Sequence, residues 1–162
     1  MRVISFLVLL LLATVSHATQ QIPEEFLIDG ARFELNIYPL ETHPNYKEIN
    51  EEISSSMCSA NWRGYKGTWT LEEGYLWLDW IVKDACSDNP EYLDLSNLFP
   101  GKDRPVKATW FTGNINIRIS ERKYLSKEKN GYVGVEFEAV VHKFESGKLV
   151  SRTIEKVVEK WH

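Results

Sequence analysis

Apolar and polar residues alternate along most of the chain with a period of two, the spacing of half-buried strands rather than of helices. In ARFELNIYPL, Ala31 to Leu40, the residues Phe33, Leu35 and Ile37 alternate with Arg32, Glu34 and Asn36. In VKATWFTGNINIRI, Val106 to Ile119, Phe111, Ile115, Ile117 and Ile119 form one row, and Gly113 interrupts it as a bulge would. The period changes in HPNYKEINEEISSSM, where Tyr46, Ile49 and Ile53 recur at three and four; this spacing predicts a short helix starting at Pro44 or Asn45 and ending in the serines.

Two hairpins follow from the same pattern. Tyr65 to Leu71 and Tyr75 to Val82 are strands joined at Glu72-Glu73-Gly74, a loop suited to a type I turn closed by a left-handed glycine. Pairing Leu71 with Tyr75 places Trp69 opposite Trp77, Tyr65 opposite Ile81 and Gly67 opposite Asp79. One face of this hairpin then carries Tyr65, Trp69, Trp77, Asp79 and Ile81, with Gly67 leaving room for a large neighbour. The other face carries Trp62, Lys66, Leu76, Leu78 and Trp80. A hairpin that is apolar on both sides is covered twice, by a second layer of the chain or by a partner.

The second hairpin joins Tyr132–Phe144 to Leu149–Val158. A Ser146-Gly147 loop sets Val135 against Val158 and Ala139 against Ile154; a three-residue loop sets Val135 against Val157 but Phe137 against Glu155. The first keeps more apolar side chains together and is preferred. Between the hairpins, KDACSDNPEYLDLSNLFPGKDRP reads as a long acidic loop with one helical turn around Tyr92 to Leu98. Six strands result. They predict a mainly β fold, an antiparallel sheet curled into a small barrel or sandwich, with one or two short helices.

The amino end changes the picture of where this domain works. Arg2 is followed by the apolar run Val3 to Val15 and by Ser16-His17-Ala18. The run is shorter than the roughly twenty residues of a spanning helix, so residues 1–18 are expected to be a cleaved signal peptide and no membrane anchor. Residues 19–162 then form a single β-rich domain, periplasmic or secreted. Removing residues 1–18 takes Arg2 away and moves the formal charge from −4 to −5. That balance, with no run of basic residues, excludes a nucleic-acid partner.

Cys58 and Cys86 are the two cysteines, and in an exported chain they are expected to be joined. The hairpin supports this, because its paired positions sum to 146 and 58 + 86 = 144. Among titratable residues no catalytic constellation and no metal site is expected, and no cofactor is implied. His142 shares a strand face with Val140 and Phe144 and is read as packed or half-exposed rather than as a general base. Glu136 and Glu138 point to one face of a strand and are read as solvated. Asp84, Asp88, Glu91 and Asp94 lack the spacing of a calcium loop. Asp79, within LWLDWIV, needs a partner if buried, and Arg63, Arg118 and Arg152 are its candidates.

The motifs N-W-R-G-Y-x-G-T-W-x-L, L-W-L, L-F-P, A-T-W-F-T-G-N-I and F-x-x-G-x-L resemble a family of small exported bacterial proteins of unknown function, over about Asn61 to Val150. The resemblance implies a shared fold. The segment YLSKEKNGY departs from the family pattern in being more charged. Gly67-Thr68-Trp69 also resembles the G-x-W of lipocalins, though here it lies inside a hairpin. The expectation is therefore a non-enzymatic exported β protein that binds another protein, as an inhibitor, an immunity protein or an envelope-assembly factor. Its contact residues are expected among Trp62, Trp80, Asp79, Trp69 and Trp77. The alternative is a lipocalin-like carrier of a small apolar ligand, with a cavity lined by Trp69, Trp77, Phe111 and Asp79.

Overall fold

Three dipeptides ending in glycine set the topology. Asp29-Gly30, Glu73-Gly74 and Ser146-Gly147 all have both residues at positive φ, between 50° and 78°. That is the backbone of a two-residue type I′ turn, whose twist matches the twist of paired strands. Each turn closes one hairpin: β1 (Glu24–Ile28) with β2 (Ala31–Leu35), β3 (Tyr65–Glu72) with β4 (Tyr75–Lys83), and β9 (Gly131–Glu145) with β10 (Lys148–Lys160).

The computed structural model describes residues 21–53, 57–127 and 131–161. The expected signal peptide, residues 1–18, lies outside them. The described chain is mainly β, at 53% strand and 12% helix. The remaining elements are a 3-10 turn (Pro39–Thr42), α1 (Tyr46–Ile53), β5 (Glu91–Tyr92), α2 (Leu95–Leu98), β6 (Val106–Lys107), β7 (Gly113–Arg118) and β8 (Lys123–Lys127). Both helices stand where the periodicity predicts them. The strand expected over Val106 to Ile119 is broken between β6 and β7, and Gly113 restarts it instead of marking a bulge.

The strands form one sheet in the order β2-β1-β3-β4-β10-β9-β7, with β5 and β6 on β4 and β8 on β9. It is mixed and open, where the sequence predicts an antiparallel sheet. The reason is β1, which the sequence reading passes over: it pairs antiparallel with β2 but parallel with β3, Phe26 opposite Trp69. The chain from β2 to β3 must then cross back over β1. It lays Leu40, Ile49 and Ile53 into the core as it does so.

The β3–β4 register also differs from expectation. The turn uses two residues, so Glu72 pairs with Tyr75, and a bulge shifts the ladder between Trp69–Leu78 and Thr68–Trp80. Asp79 is the extra residue. Trp69 therefore lies inward with Tyr65, Leu76, Leu78 and Ile81, all fully buried, while Trp77 and Asp79 belong to the outer face. In the last hairpin the Ser146-Gly147 turn is as predicted. A bulge at Val150 then moves the register by one, pairing Ala139 with Glu155 and Val135 with Glu159.

The main core is closed by Phe26, Leu35, Ile115 and Phe144 from the sheet, by Phe111 from the segment between β6 and β7, and by Leu95 and Leu98 from α2. A second cluster, Val135, Phe137, Ala139 and Val141, lies on the other face of β9. Between β2 and β7 the sheet stays open, and a cavity of about 320 Å³ sits in that seam, lined by Phe33, Ile37, Ile117, Arg118, Arg122 and Phe137 among others.

Cys58 and Cys86 are joined, with their Cα atoms 6.7 Å apart. The link ties the chain entering β3 to the chain leaving β4 across 28 positions. Replacing both cysteines by serine is expected to lower the unfolding free energy by about 3 kcal/mol. A urea titration reads this directly, and an unchanged midpoint would show that the cross-link contributes nothing.

Candidate functional site

The outward residues of β4 are Tyr75, Trp77, Asp79, Trp80 and Val82, and the acidic segment after β4 is folded back over its edge. β6 pairs with Trp77 and Leu78, while β5 pairs with Val82 and Lys83. These two short strands bring Lys107, Arg104 and Tyr92 against the tryptophans. The Lys107 Nζ stands 3.8 Å from the Tyr75 ring centroid and 4.7 Å from that of Trp77. The Arg104 guanidinium lies 3.1 Å over the Trp80 ring, and Tyr92 meets the same ring edge-on at 5.3 Å. Cations over indole faces are held electrostatically by the ring quadrupole.

Trp80 is a wall between two depressions. One, of about 320 Å³, is lined by Glu25, Lys66, Thr68, Asp79, Val82 and Pro90 among others; the other, of about 370 Å³, by Tyr92, Leu93, Asp94, Leu95 and Arg104. Glu25 holds both Lys66, at 2.6 Å, and Arg32, at 3.0 Å, so the first depression is rimmed by an ion network. Asp79 is partnered by the hydroxyl of Thr70, which donates to its carboxylate. None of the three expected arginines reaches it. Arg63 stacks on Tyr38 and donates to the Ile22 carbonyl, Arg152 lies by Asp29, and Arg118 lines the seam cavity.

The other expected contact residues are dispersed. Trp62 is 72% exposed in the loop beside the disulfide, its indole N–H donating to the Ser59 carbonyl at 2.9 Å. It does not share the β4 face. Trp77 donates to the Glu72 carbonyl at 3.1 Å. Trp69 is fully buried and donates to Glu24 Oε2 at 2.5 Å. The cavity expected between Trp69, Trp77, Phe111 and Asp79 is not formed, because the first and third lie inside and the other two outside.

Glu24 is the functional-type group that the sequence reading omits. It is fully buried in β1, and burial pushes its pKa up from 4.5 to about 7 against the Trp69 hydrogen bond and nearby Arg63, which lower it. Its Oε1 and the Arg63 Nε have no hydrogen-bond partner among the described residues. The signal was present in EEFLI: alternation puts Glu24 on the face of Phe26 and Ile28, where an acid is out of place. His142 is also fully buried, against Phe26 at 5.9 Å, and burial pushes its pKa down. Glu136 is held by Lys123 and Lys156, and Asp94 caps α2 by accepting from the Ser96 N–H.

The motif residues all have structural positions. Arg63, Tyr65, Gly67 and Trp69 build the β1–β3 junction. Trp110 stacks on Phe99 and donates to the Pro39 carbonyl, Phe111 packs on Phe144, and the Thr112 hydroxyl accepts from the Ser146 N–H. No family model, curated protein or solved structure matches the chain.

Glu24 generates a pH prediction. The folded chain keeps it protonated up to about pH 7, while the unfolded chain ionises it near 4.5. Its effect on stability is therefore nil below the lower value, grows as a loss with rising pH between the two, and is level above. The loss is of order 3 kcal/mol. The variant Glu24→Gln removes it, so above about pH 8 the variant is expected to be the more stable of the two. Denaturant titrations across this range check the point, and parallel pH profiles for the two proteins would refute it.

Proposed function

We propose that this chain is an exported protein-binding module, acting as an inhibitor, immunity protein or envelope-assembly factor, and that the outer face of β4 is its contact surface. The observation that carries the reading is the pair of cation–aromatic stacks, Tyr75–Lys107–Trp77 and Arg104–Trp80–Tyr92, side by side on one half-buried sheet face. Tryptophan, tyrosine and arginine are the residues that dominate protein interfaces, because they supply large contact area at low entropic cost together with directed hydrogen bonds. The leader-like amino end and the cysteine cross-link support export. The likeness to small exported bacterial proteins points the same way.

The carrier reading moves to the seam between β2 and β7, where Phe33, Ile37, Ile117 and Phe137 offer the apolar wall that the core does not. It remains second, since Arg32, Glu34, Arg118, Arg122 and Glu159 line the same cavity and an apolar ligand would have to displace water from these charged groups.

The contact surface is tested by affinity capture from the producing cell, using as baits the wild-type chain and the variants Trp80→Ala and Arg104→Ala. Both side chains are at the surface, so folding is expected to survive, as circular dichroism would verify. A partner held by the wild type is expected to be lost by either variant, with affinity falling by about thirtyfold or more. Equal retention by all three baits would move the contact elsewhere, and no retained protein at all would count against the module itself.

A further inference from the structure

The β10 strand has two edges, and one of them is used only at its first residues. Lys148 pairs with Tyr75 of β4, and the Leu149 N–H donates to the Gly74 carbonyl. Beyond the bulge at Val150, Ser151 to Lys160 pair, among the described residues, with β9 alone.

Which backbone groups point outward is fixed by two hydrogen bonds. The Trp161 N–H donates to the Val133 carbonyl, and in this register the odd-numbered residues of β10 are the ones bonded to β9. The Ile119 N–H donates to the Glu138 carbonyl, so the even-numbered residues of β9 face β7, as that assignment requires. The N–H and C=O groups of Arg152, Ile154, Lys156, Val158 and Lys160 therefore face away from β9 along a free edge.

Their side chains share one sheet face and alternate cation, apolar, cation, apolar, cation. Ile154 is 69% and Val158 47% exposed. Arg152 is 3.7 Å from Asp29, and Lys156 is 2.7 Å from Glu136, a carboxylate it shares with Lys123; both cations are more than half exposed, so their positive charges stay open to exchange.

A second copy of the chain fits this edge poorly. Antiparallel pairing puts outward-facing residues opposite outward-facing residues, which allows only alternate registers. Those that keep most of Ser151–Lys160 paired set Arg152 opposite Lys156, Glu155 opposite itself, Lys156 opposite itself, or Glu155 opposite Glu159. Like charges directly opposite are destabilising, and lysine on an edge strand is a common guard against self-association.

We propose that the free edge of β10 takes an extended strand from a partner protein, one that alternates acidic and apolar residues on the side facing Arg152, Ile154, Lys156, Val158 and Lys160. Main-chain hydrogen bonds to the five outward residues supply affinity, and the alternation supplies register and choice of partner. This surface is separate from the outer face of β4, so either stands if the other fails.

The test uses the capped peptide Glu-Lys-Val-Thr-Glu-Lys-Val-Thr-Glu, which in antiparallel register sets glutamate against each cation and valine against Ile154 and Val158. Nuclear magnetic resonance on the whole chain is expected to show slowed amide exchange at Ile154, Lys156 and Val158 when the peptide is added. Thr153, Glu155 and Val157, already bonded to β9, are expected to be protected without it. The charge-reversed peptide Lys-Glu-Val-Thr-Lys-Glu-Val-Thr-Lys is expected to bind about tenfold or more weakly. Ile154→Pro removes an outward N–H without touching the β9 ladder and is expected to abolish binding. If that variant does not fold, Lys156→Glu serves instead and is expected to narrow or invert the preference between the peptides. The proposal is overturned if neither peptide protects the even-numbered amides or if both bind equally. It is overturned also if sedimentation shows a dimer in which those amides are protected without any peptide, which would make a second copy the occupant.

Discussion

The hydrogen bond from Trp69 to Glu24 is the contact on which the rest of the arrangement hangs. A buried indole needs an acceptor for its N–H, and here the acceptor is a carboxylate from a strand 45 positions away in sequence. The two side chains meet over Gly67, where a Cβ would stand 2.8 Å from the indole nitrogen and 3.1 Å from the carboxylate oxygen. Glycine at this position thus makes room for the pair. The pair in turn holds β1 beside β3, with Phe26 opposite Trp69. With β1 in that slot the sheet must be mixed, and the crossing segment must supply Leu40, Ile49 and Ile53 to cover it. The carboxylate is costly to bury, which is why it holds its proton to about pH 7. Among the described residues, Glu24 is the acceptor that the buried Trp69 N–H finds.

The second determinant is the combination of a tight turn and a bulge in the β3–β4 hairpin. The turn alone would place Leu76 and Leu78 inward and send Trp80 in as well. The extra residue, Asp79, reverses the alternation, so that Ile81 returns to the core while Trp77 and Trp80 both stay outside. A bulge re-aims side chains in this way. The bonding of Asp79 to Thr70 fills the widened step of the ladder with a polar contact. Two tryptophans thereby become surface residues, and β5 and β6 bring the cations and the tyrosine that flank them.

How much of this was legible in the sequence depended on whether a signal was local. The helix at Tyr46–Ile53, the helical turn at Leu95–Leu98, the Ser146-Gly147 turn and the joined cysteines all rest on spacing or composition within short reach. Asp29-Gly30 was equally local and marks the β1–β2 hairpin, yet the acid at Glu24 disguises the strand before it. Both register errors involve a bulge, and in the β3–β4 hairpin a two-residue turn in place of three adds to it. A bulge adds a residue to one strand only, and nothing in the spacing of LWLDWIV or of LVSRTIEKVV distinguishes a bulged strand from a regular one. The facing of Trp77 and Asp79 was lost with the register, and so was the shared cavity expected for them. Trp62, Trp69, Trp77 and Trp80 lie close in sequence but occupy three environments: an exposed loop, the core, and the outer face of β4.

The treatment of strand edges connects these features. An open edge presents unpaired backbone groups and invites association. The far edge of β4 is divided among the start of β10, β6 and β5, so the acidic segment that reads as a loop serves as edge cover. The edges of β2 and β7 face each other across the seam, where Phe33 and Ile117 line a common cavity. Beyond its first residues, β10 has neither kind of cover among the described residues. Its lysines, arginine and glutamates make pairing with its own kind unfavourable, whereas a strand of complementary pattern meets no such barrier. The same charges that keep the chain from self-associating therefore define what it can admit, and the selectivity of the edge follows from its protection.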